Sequence, residues 1–253
     1  MKNERGQVAI FVIVALVIVG AIVAVWIFPG ISNIVAPQEV SPEGYLEDCL
    51  APEVKGAVDL LSKQGGSQNP PASILYDGNK VEYLCYASGY YNTCVVQQPL
   101  LISHFGKELS RILTPKAEQC ARNLIAEYDR KGYSVSSSKA SVDVSVVSDG
   151  VKVEFSAPMT VTRGEVSRTF DKFDITSKSE LYEILSIATS IIDYETTYGD
   201  SETTSYLRYY PNLKIEKIKL EDGIKIYRLS DVVSNEMFQF ATRSLAWPPG
   251  YGL

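Results

Sequence analysis

Ser141–Phe155 reads SVDVSVVSDGVKVEF, and no other stretch constrains the architecture as tightly. Val142, Val144 and Val146 alternate with polar residues, Asp149-Gly150 intervenes, and Val151, Val153 and Phe155 resume the alternation. A period of two describes a strand with one buried face. Asp-Gly between two such runs is a strong local signal for a hairpin. Working outward, a third strand at about 159–163 turns at Arg163-Gly164 into a fourth at about 165–173. Lys214–Leu220 and Ile224–Leu229 flank Asp222-Gly223 as another hairpin, and Met237–Ser244 adds a last strand. Residues 73–98 carry a further hairpin, with its turn at Tyr76-Asp77-Gly78-Asn79 and a strand at Val81–Cys85.

Between these strands the period changes. Leu46, Cys49, Leu50, Val54, Ala57, Val58 and Leu61 recur at helical spacing, and Gly65-Gly66 ends that helix. A second helix is expected over about 100–131, divided by Pro115. Its second half carries Ala117, Cys120, Ala121, Leu124, Ile125 and Tyr128 on one stripe. A third covers 179–197, where Leu181, Ile184, Leu185, Ala188, Ile191 and Ile192 share a face. Helices, strands, helix, strands is the order of an α+β domain, expected here as an antiparallel sheet with helices packed on one face.

The N-terminus is of another kind. Residues 8–28, VAIFVIVALVIVGAIVAVWIF, contain no polar side chain. At about 1.5 Å rise per residue, such a run spans the roughly 30 Å hydrocarbon core of a bilayer. The expected organisation is a cytoplasmic tail or signal at 1–7, a transmembrane helix at 8–28, a proline-rich stalk at 29–42 and an extracytoplasmic domain at 43–253. Lys2 and Arg5 precede the span, and no basic residue follows it before Lys55, so the positive-inside bias leaves the N-terminus in the cytoplasm. The formal charge is 24 − 30 = −6. An acidic domain argues against nucleic acid as a partner, leaving membrane lipid through 8–28 and self-association or other surface proteins.

Arg5-Gly6-Gln7-Val8, directly before the apolar run, resembles the class III signal peptide of archaeal type IV pilin-like proteins. That resemblance implies cleavage after Gly6 and a mature N-terminus at Gln7. Such pilins commonly carry Glu at the fifth mature position, where this chain has Phe11, and Pro29-Gly30 stops the helix at the membrane edge. The alternative is an uncleaved signal anchor. Beyond the signal, Arg5–Ile13, Cys49–Gly66 and Phe238–Ser244 are similar to segments of single-anchor surface proteins of small-genome archaea, which implies location and fold but no activity.

Four cysteines outside a membrane suggest disulfides. Cys85 and Cys94 bracket a short loop, and Cys49 and Cys120 each lie on the apolar stripe of a predicted helix, so the favoured pairing is Cys85–Cys94 with Cys49–Cys120. Closing loops of about 10 and about 72 residues gives roughly 2.7 and 4.4 kcal/mol on a chain-entropy estimate. No CxxC spacing points to zinc, the single histidine, His104, reads as a capping or surface residue, and no cofactor is expected. HExxH, GxSxG, GxxxxGK and GxGxxG are all absent, so no catalytic residue is assigned.

Tyrosine is the enriched group, with 16 in the chain. Tyr86, Tyr90 and Tyr91 sit in or beside the small cysteine loop, and Tyr206, Tyr209 and Tyr210 crowd a second stretch. A large rigid ring with a polar tip suits protein or sugar contacts, which makes these the candidate binding residues. The expected function is a membrane-anchored extracytoplasmic surface protein with a structural or binding role, in one form a pilin-like filament subunit. The alternatives are an accessory subunit of a membrane complex, and an ectodomain hydrolase acting on envelope polymers through two carboxylates.

Overall fold

The structure is a computed structural model that describes residues 17–19 and 41–248. Residues 17–19 are helical. The rest of the expected span at 8–28, the Gly6-Gln7 processing site and nearly all of the stalk lie outside the described residues. Among the described residues no helix is long and apolar enough to cross a membrane.

From Pro42 the chain forms one compact unit. Its elements are α1 (Pro42–Lys63), β1 (Ser73–Tyr76), β2 (Asn79–Tyr86), β3 (Val95–Val96), α2 (Leu101–Arg130), β4 (Ser134–Ser137), β5 (Ser141–Val147), β6 (Gly150–Arg163), β7 (Val166–Ser177), α3 (Leu181–Tyr198), α4 (Thr204–Tyr209), β8 (Leu213–Lys219), β9 (Ile224–Asp231) and β10 (Met237–Arg243). The class is α+β. The strands form two sheets rather than one. A 6-stranded sheet runs β1-β2-β10-β9-β8 with β3 on β2, and a 4-stranded sheet is built around β6.

The larger sheet is mixed, which corrects the expectation of an antiparallel one. β10 lies between β2 and β9 and pairs with β2 in parallel, Ala241 opposite Tyr83 and Thr242 opposite Cys85. Alternation reports which face is buried, and says nothing of the direction of a neighbour distant in sequence. The smaller sheet is antiparallel. β7 lines the whole of β6, while β5 and β4 share its other edge, at Gly150–Ser156 and Met159–Thr162 respectively. The two short strands expected at 151–155 and 159–163 are thus one strand. The register shifts between Ser156 and Met159, and this bulge absorbs Pro158 without ending the strand.

α2 also differs from expectation, because Pro115 does not divide it. A proline inside a helix costs about 3 kcal/mol. Here Phe105, Leu109, Leu113, Ala117, Cys120 and Leu124 are buried along the whole length, and burying several such side chains at roughly 1.5–3 kcal/mol each outweighs that cost. α1 lies antiparallel against α2, tied by Cys49–Cys120 and by Lys116 to Glu53 at 3.2 Å. α2 joins both sheets. Its Phe105 meets Phe238 of β10, with ring centroids 6.2 Å apart, and its Ser110 Oγ accepts Val144 N–H of β5 at 2.9 Å. A Cβ at Gly106 would stand 2.7 Å from the Val144 carbonyl oxygen, so only glycine lets helix and sheet approach this closely.

α3 is locked to the mixed sheet by buried charge. Glu195 is 0% exposed and Lys225 of β9 5% exposed, with Nζ and Oε2 2.7 Å apart. Glu195 also accepts Ser201 N–H at 3.2 Å and the Tyr227 hydroxyl, while Lys225 donates to the Gly199 carbonyl. Burial, and the Glu195 carboxylate beside it, push the Tyr227 hydroxyl far above its usual range, so it stays a donor.

Candidate functional site: an aromatic platform at one end of the mixed sheet

Because β2 and β10 are parallel, their C-terminal ends lie together, beside the start of the antiparallel β9. Three loops meet there: 87–94, 220–223 and 244–248. Cys85–Cys94 closes the base of the first, with Cα atoms 5.3 Å apart. Main-chain hydrogen bonds weave the loops together. Ala87 N–H donates to the Arg243 carbonyl at 2.8 Å, Tyr91 N–H to Ala246 at 2.9 Å, Leu245 N–H to Asn92 at 2.8 Å and Ser244 N–H to Gly223 at 3.1 Å. Cys94 N–H donates to Ser244 Oγ at 3.1 Å.

Arg243 is the keystone. Its Nε and Nη2 grip both carboxylate oxygens of Asp222 at 3.0 Å each, and its Nη1 donates to the Ala87 carbonyl. The guanidinium carbon lies 5.6 Å from the Tyr86 ring centre and 5.7 Å from that of Tyr90, within cation–π range. Tyr91 meets Trp247 edge to face at 4.9 Å. The rings are open to solvent: Tyr86 is 37%, Tyr90 41%, Tyr91 53% and Trp247 53% exposed. Tyr91, Asp222 and Leu245 all hold positive φ, at 60°, 58° and 49°. A left-handed backbone is costly for residues with a Cβ and persists where surrounding contacts over-determine it. Gly223, at φ 70°, packs so closely that a Cβ would come within 2.7 Å of Ala246 Cα.

Tyr86, Tyr90 and Tyr91 are therefore brought together, while Tyr206, Tyr209 and Tyr210 gather elsewhere. The Tyr206 hydroxyl bonds Ser190 Oγ at 2.7 Å. Tyr209 and Tyr210 border a cavity of about 390 Å³ at the Asp231 end of β9, with Glu180, Glu183 and Asp231 in its wall. Burial, and then Glu180 and Asp231, raise the Glu183 carboxyl above its ordinary range. Asp231 is held below its range by the N–H groups of Ser234 and Val233, at 2.7 and 3.0 Å.

Both disulfides are formed in the pairing the residue pattern favours, and no cysteine is free. His104 is half-buried in the first turn of α2, and its Nε2 lies 2.8 Å from Ser67 Oγ. Burial lowers its pKa. Beside Ser67, burial raises the Glu82 carboxyl to about 7, with Glu108 adding to the rise. Among the described residues no group of three or more His, Cys, Asp or Glu is arranged to hold a metal ion.

Arg243, Asp222 and Trp247 escaped sequence reasoning. Asp222-Gly223 reads as a hairpin turn, which it is, but the Asp222 carboxylate also grips Arg243 across 21 residues. A lone arginine at a strand end gives no hint of that partner. The chain matches no protein-family model, no curated protein and no solved structure.

Proposed function

We propose that this chain is a membrane-anchored extracytoplasmic surface protein whose folded unit is a binding domain. Residues 8–28 hold it in the bilayer, and the aromatic platform is its contact surface. One feature carries the reading: a loop closed by Cys85–Cys94 that holds Tyr86, Tyr90 and Tyr91 in solvent on a braced frame. A disulfide persists on the oxidising side of a membrane. Rigid exposed rings contribute contact area at little cost in conformational entropy. The pilin-like form of this proposal adds cleavage at Gly6–Gln7 and assembly through the apolar helix.

The test is made on the full chain in its native membrane. Thiol alkylation under denaturing, non-reducing conditions is expected to label no cysteine, and labelling of all four would refute the location. Mass spectrometry of the N-terminus separates the two forms, because Gln7 first marks the processed, pilin-type route and Met1 retained excludes it.

One observation favours the hydrolase alternative, the opposite displacement of the Glu183 and Asp231 carboxyls around a single cavity. In carboxylate-pair hydrolysis one carboxyl must keep its proton while the other stays ionised. Glycan-bond cleavage lost in both Glu183→Gln and Asp231→Asn would support this reading over the binding one. Absence of cleavage by the wild-type chain would remove it.

A further inference from the structure

We infer that the platform formed by Tyr86, Tyr90, Tyr91 and Trp247 takes an uncharged carbohydrate chain, an inference that rests on the binding role proposed above.

Three properties of the surface select this ligand class. The first is charge. Arg243, the cation beneath the rings, has its guanidinium paired with both oxygens of Asp222 and bonded to the Ala87 carbonyl. It offers little free positive charge to an anion, and the chain as a whole carries −6. Uronic acids, sialic acids and phosphate would meet an acidic protein without an open counter-charge. A cationic ligand would approach ring faces from which Arg243 already draws.

The second property is the state of the main chain. Peptide capture by strand addition needs unpaired N–H and C=O groups. Here the N–H groups of Ala87, Tyr91, Cys94, Ser244 and Leu245 are all spent on holding the three loops together. The exposed side chains there are flat apolar rings edged with phenol hydroxyls and an indole N–H. A sugar ring presents the matching chemistry, with C–H faces to lie on the aromatics and hydroxyls to exchange hydrogen bonds at their rims.

The third is stiffness. A covalent clamp at the loop base, cross-loop hydrogen bonds and three residues fixed at positive φ set the rings before any ligand arrives. A weakly attractive, highly hydrated ligand is held only where little ordering cost remains to be met. Tyr91 and Trp247 stand edge to face, so the surface offers two differently tilted planes and suits a bent chain of several units better than a single sugar.

Trp247 makes the test direct. The chain contains two tryptophans, Trp26 in the apolar segment and Trp247 in the platform. The full chain carrying Trp26→Phe, held in a sugar-free zwitterionic detergent, reports only from Trp247. It is titrated with cellohexaose, chitohexaose and mannohexaose, and in parallel with polygalacturonate and a proline decapeptide. Saturable change in Trp247 emission with at least one neutral hexaose is expected, with a Kd at least tenfold weaker in Tyr90→Ala and unchanged in Tyr209→Ala. Thermal melting of each variant separates lost binding from lost folding. Tighter binding of polygalacturonate than of every neutral sugar overturns the inference. So does a response to the proline decapeptide alone, which would keep the platform as a binding surface and change its ligand. Silence toward every probe overturns the glycan assignment. If the detergent-held wild-type chain also fails to sediment with lipid-extracted cell envelope, the binding role falls with it.

Discussion

Lys225→Met probes the buried pair that fastens α3 to the mixed sheet. At 2.7 Å and an effective dielectric of about 20, the attraction between Lys225 and Glu195 is roughly 6 kcal/mol. Bringing each ion out of water costs several kcal/mol, so the pair contributes little net stability. Removing one member is another matter. In Lys225→Met the Glu195 carboxylate keeps the Tyr227 hydroxyl and the Ser201 N–H but loses its counter-charge in a fully buried site. The expected loss is about 3–5 kcal/mol. At about 2–4 °C per kcal/mol for a unit of this size, Tm falls by about 6–20 °C. Glu195→Gln is milder, by about 1.5–3 kcal/mol, because Lys225 retains the Gly199 carbonyl and the Asp200 carboxylate at 3.7 Å. Urea unfolding followed by circular dichroism measures both, and equal m-values license the comparison. A loss under 1 kcal/mol for Lys225→Met, or a larger loss for Glu195→Gln, would refute this account of the network.

Two further outcomes follow from the same geometry. Glu82 has its folded-state pKa raised to about 7 from an ordinary 4.5, so between those values the folded chain holds a proton that the unfolded chain has released. Its contribution to stability is full below pH 4.5 and is lost as pH rises through 7. His104, lowered from 6.5, works in the opposite sense and costs stability as pH falls through its ordinary value. Urea midpoints at pH 4.5, 6 and 8 should decline less with pH in Glu82→Gln than in the wild type, and an identical decline in both would contradict the assignment. Arg243→Lys cannot reproduce the two-pronged grip on Asp222, so a loss of about 1.5–3 kcal/mol is expected together with a changed Trp247 emission. An unchanged melting curve would show that Asp222 and Ala87 are satisfied without the guanidinium.

Local pattern carried the hairpins. Each needed only alternation and a glycine-bearing turn, Asp-Gly at three of them and Arg163-Gly164 at the fourth, written within a short stretch, as at Val142–Phe155. The cysteine pairs were legible because Cys49 and Cys120 occupy apolar helical stripes that must face a partner. Direction and continuity were not. The parallel join of β10 to β2 is decided by packing across more than half the chain. Pro115 reads as a break, and becomes tolerable only once α1 covers α2; the strands expected at 151–155 and 159–163 join because a bulge relieves β6 at Pro158. The tyrosines of the platform could be picked out by composition. The arginine that organises them could not, because its contacts to Asp222 and Ala87 span 21 and 156 residues.

The central place of β10 sets an order of events in biosynthesis. The ribosome makes residues 237–243 after every other strand of the larger sheet, yet they supply the second neighbour of both β2 and β9. Until they emerge, β1-β2 and β8-β9 are separate ribbons with open edges, and Phe105 has no Phe238 to pack against. The Cys85–Cys94 ring, with a sequence separation of 9, can close early, but the frame around Arg243 cannot. A chain truncated before Met237 would lose the seam of the larger sheet rather than a dispensable tail, and exposed strand edges of that kind invite aggregation. The larger sheet therefore cannot close until residues 237–243 have left the ribosome, which leaves a nascent chain time to be delivered with that sheet still open.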